Sequence, residues 1–194
     1  LINLANGAVV GMEALIRWHN AELKNPTPDR FIPIAEETGL IVPIGQWVLH
    51  EACRQAVEWQ REGHAPLRVA VNISSRQFVG GNVVHAVEDA LRDTGLNPEL
   101  LELEITEGLL LNDAPLTRRS LERLKKIGTR LSLDDFGTGF SSLSYLRRYD
   151  FDVLKIDRSF IADLERKPEA AGLVKAIIAM AHNLGMEVIG EGVE

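Results

Sequence analysis

A single cysteine, Cys53, occurs in 194 residues, so neither a disulfide framework nor a thiolate zinc site can be assembled here. It falls within a helical pattern, where a buried structural thiol is expected, and a reducing compartment suits it. Long apolar runs are missing too. No stretch approaches the roughly 20 residues that cross a bilayer, and no charged, apolar, small-residue leader opens the sequence. Membrane contact from this segment is therefore not expected; the segment should face the cytoplasm, even in a longer, membrane-anchored protein. Positive charge is in deficit, with 21 Lys and Arg against 28 Asp and Glu and a net charge of -7. Duplex nucleic acid is bound largely by neutralising phosphates with Lys and Arg, so a broad footprint of that kind is not expected. Any phosphate at an acidic site would need divalent cations as mediators, because they invert the local field. Histidine supplies no HExxH or other close metal pair, and His19, His50, His64, His85 and His182 read as surface or packing residues. Linkers, charge blocks and solenoid-type repeats are also lacking, so residues 1–194 read as one unit.

What is present is 45% hydrophobic residues, enough for one substantial core. Short β-branched segments alternate with helix-period segments, the pattern of a parallel sheet with helices outside. Six strands are expected, over Val9–Trp18, Arg68–Ser74, Leu101–Thr106, Thr129–Asp134, Val153–Asp157 and Glu187–Glu191. Helices are expected over Ile44–Glu62, Val83–Thr94, Leu116–Ile127, Ser142–Arg148 and Glu169–Leu184. Gly63, Gly95, Gly128 and Gly185 follow periodic runs as helix stops, and Thr27-Pro28 reads as a helix start. Six strand-helix units are two short of a closed (β/α)8 TIM-type barrel, so an incomplete α/β barrel, cut from something longer, is the expected fold.

Catalytic groups of such barrels gather at the carboxyl ends of the strands, and this sequence loads those ends with acids. Period-two alternation puts Glu13, Leu15 and Arg17 on one face of the first strand. Asn72 closes the second. Glu102 and Glu104 face away from Leu101, Leu103 and Ile105, and Glu107 sits just past that strand. Ser132 and Asp134 oppose Leu131 and Leu133, and Asp135 follows in a glycine-punctuated loop, Phe136 to Ser142. Lys155 shares a face with Val153 and Asp157, while Glu191 ends the last strand and Glu194 follows. So many crowded carboxylates would cost several kcal/mol each without compensating cations. Oxygen donors from Glu, Asp and Asn favour Mg²⁺, Mn²⁺ or Ca²⁺, and two such ions about 3.5–4 Å apart suit phosphoester hydrolysis. Lys155 would add a cation near the developing charge or orient a water.

Each acid alone could instead cap a helix or pair at the surface. Arg17 could be a structural ion-pair partner or a phosphate ligand. Gly137-Thr138-Gly139 alone marks only a turn. Trp47 and Trp59, at helical spacing, read as core residues rather than a base-stacking platform, and Trp18 is open.

Six segments then match a known family in order and separation: Glu13-Ala14-Leu15-Ile16-Arg17, Val71-Asn72-Ile73-Ser74, Glu104-Ile105-Thr106-Glu107, Asp134-Asp135-Phe136-Gly137-Thr138-Gly139, Lys155-Ile156-Asp157 and Glu191-Gly192-Val193-Glu194. Across its whole length the chain resembles the EAL-type cyclic di-GMP phosphodiesterases. The resemblance implies that Glu13, Asn72, Glu104, Asp134, Asp135 and Glu191 hold metal, with Asp135 shared between two ions, Mg²⁺ or Mn²⁺. It implies that Glu13, Lys155 and Glu191 are catalytic, Lys155 assisting the water, and that Leu15 and Arg17 line the dinucleotide site, with Asp157 in support. Glu107 would anchor the loop from Phe136 to Ser142, which in the family couples metal binding to dimerisation. The implied reaction hydrolyses cyclic di-GMP to linear pGpG. A homodimer and fusion to sensor or diguanylate cyclase domains are further implications. The family's first strand, the one running against the others, and its last strand, with a glutamine near the water, are expected outside these residues. Some members are silent cyclic di-GMP receptors or protein-interaction modules, with altered ligands or loop; no such alteration is visible here. An unrelated carboxylate-rich barrel enzyme is the remaining alternative.

Overall fold

The structure, a computed structural model, describes residues 1–110, 114–137, 143–164 and 168–193. In chain order its main elements are β1 (Gly11–Ala14), α1 (Pro28–Thr38), α2 (Ile41–Arg61), β2 (Arg68–Asn72), α3 (Ser75–Phe78), α4 (Asn82–Thr94), β3 (Leu101–Thr106) and α5 (Glu107–Leu110). These are followed by α6 (Pro115–Ile127), β4 (Arg130–Phe136), α7 (Leu143–Arg148), β5 (Val153–Ile156), α8 (Arg158–Ala162), α9 (Pro168–Asn183) and β6 (Glu187–Gly190). The six strands form one sheet in the order β1-β2-β3-β4-β5-β6, every neighbouring pair parallel. Sequential parallel strands with helical crossovers curl into part of a (β/α) barrel. An antiparallel bridge between Ile2 and Val9 precedes β1.

The strands carry two different faces. Leu101, Leu103, Ile105, Leu131, Leu133, Leu154 and Ile156 join the helix residues Leu49, Cys53, Val87, Leu121 and Leu124 in one buried apolar cluster. Alternation then turns Glu102, Glu104, Ser132, Asp134 and Lys155 to the opposite, concave face, and these too are buried. Both faces of β3 are thus covered, as in parallel sheets generally. Cys53 is fully buried, and burial pushes its thiol up to about 12, which fits the structural reading.

Several boundaries differ from expectation for local reasons. β1 stops at Ala14 because β2, its one paired neighbour among the described residues, offers register partners just for Gly11 to Ala14. Ile73 and Ser74 leave β2 because Ser74 caps α3, its hydroxyl accepting from Arg76 N while Gln77 Oε1 accepts from Ser74 N. β5 ends one residue early because the Asp157 side chain caps α8. β4 runs two residues further than expected, through an irregularity in its register with β5 between Leu133 and Phe136. Trp47 is not a core residue. It is 60% exposed, because the face of α2 carrying Trp47 and Trp59 looks onto a groove of about 260 Å³ beside β1, the edge strand. Trp59 is half-buried there, and Trp18 meets Phe31 edge-on with ring centroids 5.7 Å apart.

Leu103, fully buried at the centre of the sheet, sets a test of this core. Leu103→Ala should lower the unfolding free energy by about 3 kcal/mol in urea titration; an unchanged midpoint would contradict the packing.

Candidate active site

The concave face converges on Lys155. Its Nζ lies 2.8 Å from Glu104 Oε1, 2.8 Å from Glu191 Oε1, 3.1 Å from Asp134 Oδ1 and 4.0 Å from Glu13 Oε2. Three strands, β1, β3 and β4, and the turn after β6 thus aim their ends at the one ammonium group that β5 carries. Asn72 belongs to the same cluster, its Nδ2 donating to Glu13 Oε1 at 2.8 Å. The Glu104–Lys155 contact is close as an ion pair but poorly aligned as a hydrogen bond, and Glu104 Oε2, also buried, has no hydrogen-bond partner.

Two consecutive acids in a regular strand would point to opposite faces. The backbone at Asp135 removes that constraint: its φ is 54°, a left-handed conformation that costs a non-glycine residue free energy, at the irregularity in β4. As a result Asp134, Asp135 and Glu191 each present a carboxylate oxygen within 4.8 Å of the others. The strain is local and its product is a convergent oxygen site.

The remaining candidates lie around this centre. Leu15 and Arg17 stand exposed beyond the end of β1, with Arg17 Nη1 donating to the Ile16 carbonyl at 2.9 Å. Asp157 Oδ1 accepts from the Ser159 backbone N–H at 2.9 Å and from its hydroxyl, and these bonds hold its carboxyl below the usual range. Glu107 is half-buried and its Oε1 accepts from Gly137 N at 3.0 Å, which ties the end of β3 to the end of β4. Gly137, at φ 100°, has the Phe160 ring where a Cβ would project, 2.6 Å from Cε2, so no larger residue fits there. Residues 138–142 of the expected loop and Glu194 lie outside the described residues. All five histidines are exposed.

Electrostatics separates these acids from ordinary surface carboxylates. Burial pushes the Glu104 carboxyl up to about 8, with Lys155 opposing the shift. Burial also raises Glu191 against the pull of Lys155, and raises Asp135, with Asp134 and Asp157 adding repulsion. Lys155 itself is held above its ordinary value: burial favours its neutral form, but Glu104, Glu191 and Asp134 outweigh that. One ammonium cannot neutralise the carboxylates of Glu13, Glu104, Asp134, Asp135 and Glu191. The excess negative charge and the convergent, oxygen-only donor set fit a hard divalent cation.

One element of the interior escaped sequence reasoning. At the opposite end of the sheet Glu102, fully buried, lies near Arg68 and Arg130, which also bind Glu187 at 2.8 and 3.1 Å. The same period-two rule that placed Glu104 inward places Arg68 and Arg130 inward at the strand starts, so the signal was available.

Comparisons with known proteins bear on this geometry. The family model of the EAL domain matches residues 1–194. The chain belongs to the EAL domain family. Among curated relatives, this EAL domain is 46% identical over 189 residues to the bifunctional diguanylate cyclase/cyclic di-GMP phosphodiesterase MucR of Pseudomonas aeruginosa, covering 97% of this chain and 28% of that protein. It is 45% identical over 194 residues to the cyclic di-GMP phosphodiesterase NbdA of the same species, covering 100% of this chain and 25% of that protein. The chain therefore spans about a quarter of the length of these relatives. Among solved structures, the PaMucR phosphodiesterase in complex with c-di-GMP superposes with a TM-score of 0.92 at 45% identity, over 100% of this chain and 78% of that one. Among the described residues no helix of this EAL domain is long and apolar enough to cross a membrane.

The raised carboxyls fix a pH dependence. Folding raises the proton affinity of Glu104, Glu191 and Asp135, so the metal-free fold should lose stability as pH climbs from the ordinary carboxylate range towards about 8. Lys155 stays protonated folded and unfolded across that window and adds no slope. A divalent cation replaces those protons, so Mg²⁺ or Mn²⁺ should raise Tm by about 5 °C more at pH 8 than at pH 5. Scanning fluorimetry showing an equal or larger shift at pH 5 would contradict this assignment.

Proposed function

We propose that this EAL domain is a metal-dependent phosphodiesterase that hydrolyses cyclic di-GMP to linear pGpG, using two Mg²⁺ or Mn²⁺ ions. The observation that carries the reading is the convergence of Glu13, Glu104, Asp134 and Glu191 on the buried Lys155, with Asp135 turned towards the same centre. A cyclic dinucleotide receptor gains nothing from a pre-built, like-charged cluster of this kind. The named activities of MucR and NbdA and the cyclic di-GMP held by the solved relative support the substrate.

Glu13, Asn72, Glu104, Asp134, Asp135 and Glu191 would hold the metal. Bound there, divalent ions polarise a phosphoryl oxygen and make water a stronger nucleophile at neutral pH. The chain's own residues do the rest. Lys155, protonated and fixed by three carboxylates, orients the attacking water and offsets negative charge building on the phosphoryl group. Arg17, exposed beyond β1, takes a phosphate oxygen, and Leu15 lines the same dinucleotide site. Water adds to phosphorus, the P–O3′ ester bond breaks, and the leaving O3′ ends protonated. Glu107 holds the end of β4 through Gly137 N, and Asp157 supports the site from the α8 cap. We also assign residues 1–194 to one domain working on the cytoplasmic side, as part of a longer signalling protein and as a homodimer.

Glu13→Ala should lower kcat for pGpG formation by at least about 100-fold with the fold retained. Arg17→Ala should raise KM about tenfold and leave kcat nearly unchanged. Chromatography of products with Mg²⁺ or Mn²⁺ and a chelated control checks both. Ligand binding without any turnover in the unsubstituted protein would replace the enzyme with a receptor.

A further inference from the structure

Beneath the Lys155 cluster lies a second set of buried polar groups that the hydrolytic chemistry does not use. Glu102 and Ser132 are both 0% exposed. Neither carboxylate oxygen of Glu102 has a hydrogen-bond partner, nor do Ser132 Oγ and Arg130 Nε. The cations nearest Glu102 are Arg130 Nε at 3.6 Å and Arg68 Nη1 at 3.8 Å, beyond the roughly 2.7–3.2 Å of a direct hydrogen bond. A buried group left in that state costs about 1–3 kcal/mol, more when charged, and a polar contact longer than about 3.5 Å is one that a water can bridge.

Register places these orphans in one block, two residues on β3 beside two on β4. Glu102 is paired with Arg130, and Glu104 with Ser132, on neighbouring strands of the concave face. Two residues along a strand separate the levels, a rise of about 6.6 Å, so Ser132 stands beside the level of Glu104, whose carboxylate oxygens are likewise without a hydrogen-bond partner. The inventory decides the ligand. With Glu104 Oε1 facing the Lys155 ammonium at 2.8 Å, three carboxylate oxygens need donors, and one hydroxyl and one guanidinium N–H need acceptors. The charges of Glu102 and Glu187 are matched by those of Arg68 and Arg130, so this level attracts neither an anion nor a divalent cation, unlike the cluster above it. A small neutral molecule with two donors and an acceptor remains.

We propose that Glu102, Ser132 and Arg130 form a built water site, a solvent floor that positions Glu104 from below. Ordered water there accepts from Ser132 Oγ or Arg130 Nε and donates to Glu102 and to Glu104 Oε2, which fixes the rotation of the Glu104 carboxylate against Lys155. Ser132 and Glu102 are then positioning residues, distinct from the groups that touch metal or substrate. The kinetic part of the proposal rests on the phosphodiesterase reading; the structural part does not.

The test is a crystal structure of the full chain, at a resolution where buried waters are visible, with Ser132→Val and Ser132→Thr beside it. Expected is a solvent peak within about 2.7–3.2 Å of Ser132 Oγ and a Glu102 oxygen, present with Thr and absent with Val. Ser132→Val should lower kcat about tenfold with KM within about twofold, and Ser132→Thr should restore it. If the valine variant fails to fold, Ser132→Ala provides the same comparison of kcat and of the peak. A floor closed by direct Glu102–Arg130 or Glu102–Ser132 hydrogen bonds with no water, or wild-type kcat in the variants lacking the hydroxyl, would overturn the proposal. Should the unsubstituted chain show no turnover, the phosphodiesterase reading fails, and the solvent peak alone decides this one.

Discussion

The Lys155 ammonium group among the carboxylates of Glu104, Glu191, Asp134 and Glu13 is the interaction on which the rest of the structure depends. A charge this deeply buried persists only with compensation, and like-charged acids this close persist only with a cation between them. Lys155 meets both demands in part. It holds the strand ends of β1, β3 and β4 and the turn after β6 together, and leaves enough excess negative charge to draw divalent ions. The arrangement trades stability for chemistry, since the same residues replaced by apolar ones would make a cheaper barrel lining.

The division of the sheet into two faces makes this possible. Leucines and isoleucines on the convex face anchor the strands under the helices, so that the concave face is free to be polar. Along it, charge is graded: balanced pairs at Glu102, Glu187, Arg68 and Arg130, then the acid-rich centre. The irregularity at Asp135 adds the last donor, a local cost in backbone conformation that places adjacent acids in one site.

Much of this was legible in the sequence because strand alternation is a strict rule. It sets Glu104 and Asp134 opposite the leucines of their strands and Lys155 on the face of Val153 and Asp157, and the segments around Glu13, Asn72 and Glu191 match the EAL family. Helix starts and stops at Pro28, Gly95 and Gly128 were legible for similar local reasons. Less legible were features set by tertiary surroundings. The exposure of Trp47 follows from β1 lying at the sheet edge, which periodicity within α2 cannot report. The extension of β4 past Asp134 depends on its pairing with β5, and the turning of Asp157 towards Ser159 is a capping event competing with a strand-end role. The Glu102 layer could have been read from the alternation of Arg68 and Arg130, but opposite charges on separate strands become partners only once strand order is known.

The central claim is that this cluster is an incomplete charge system completed by divalent metal. Titration calorimetry of Mn²⁺ into chelator-treated protein near pH 7, run in buffers of different ionisation enthalpy, tests it most directly. Two ions bound per chain, with net proton release because Glu104, Glu191 and Asp135 hold their protons above the ordinary carboxylate range, is the predicted result. No binding, or binding without proton release, would contradict it.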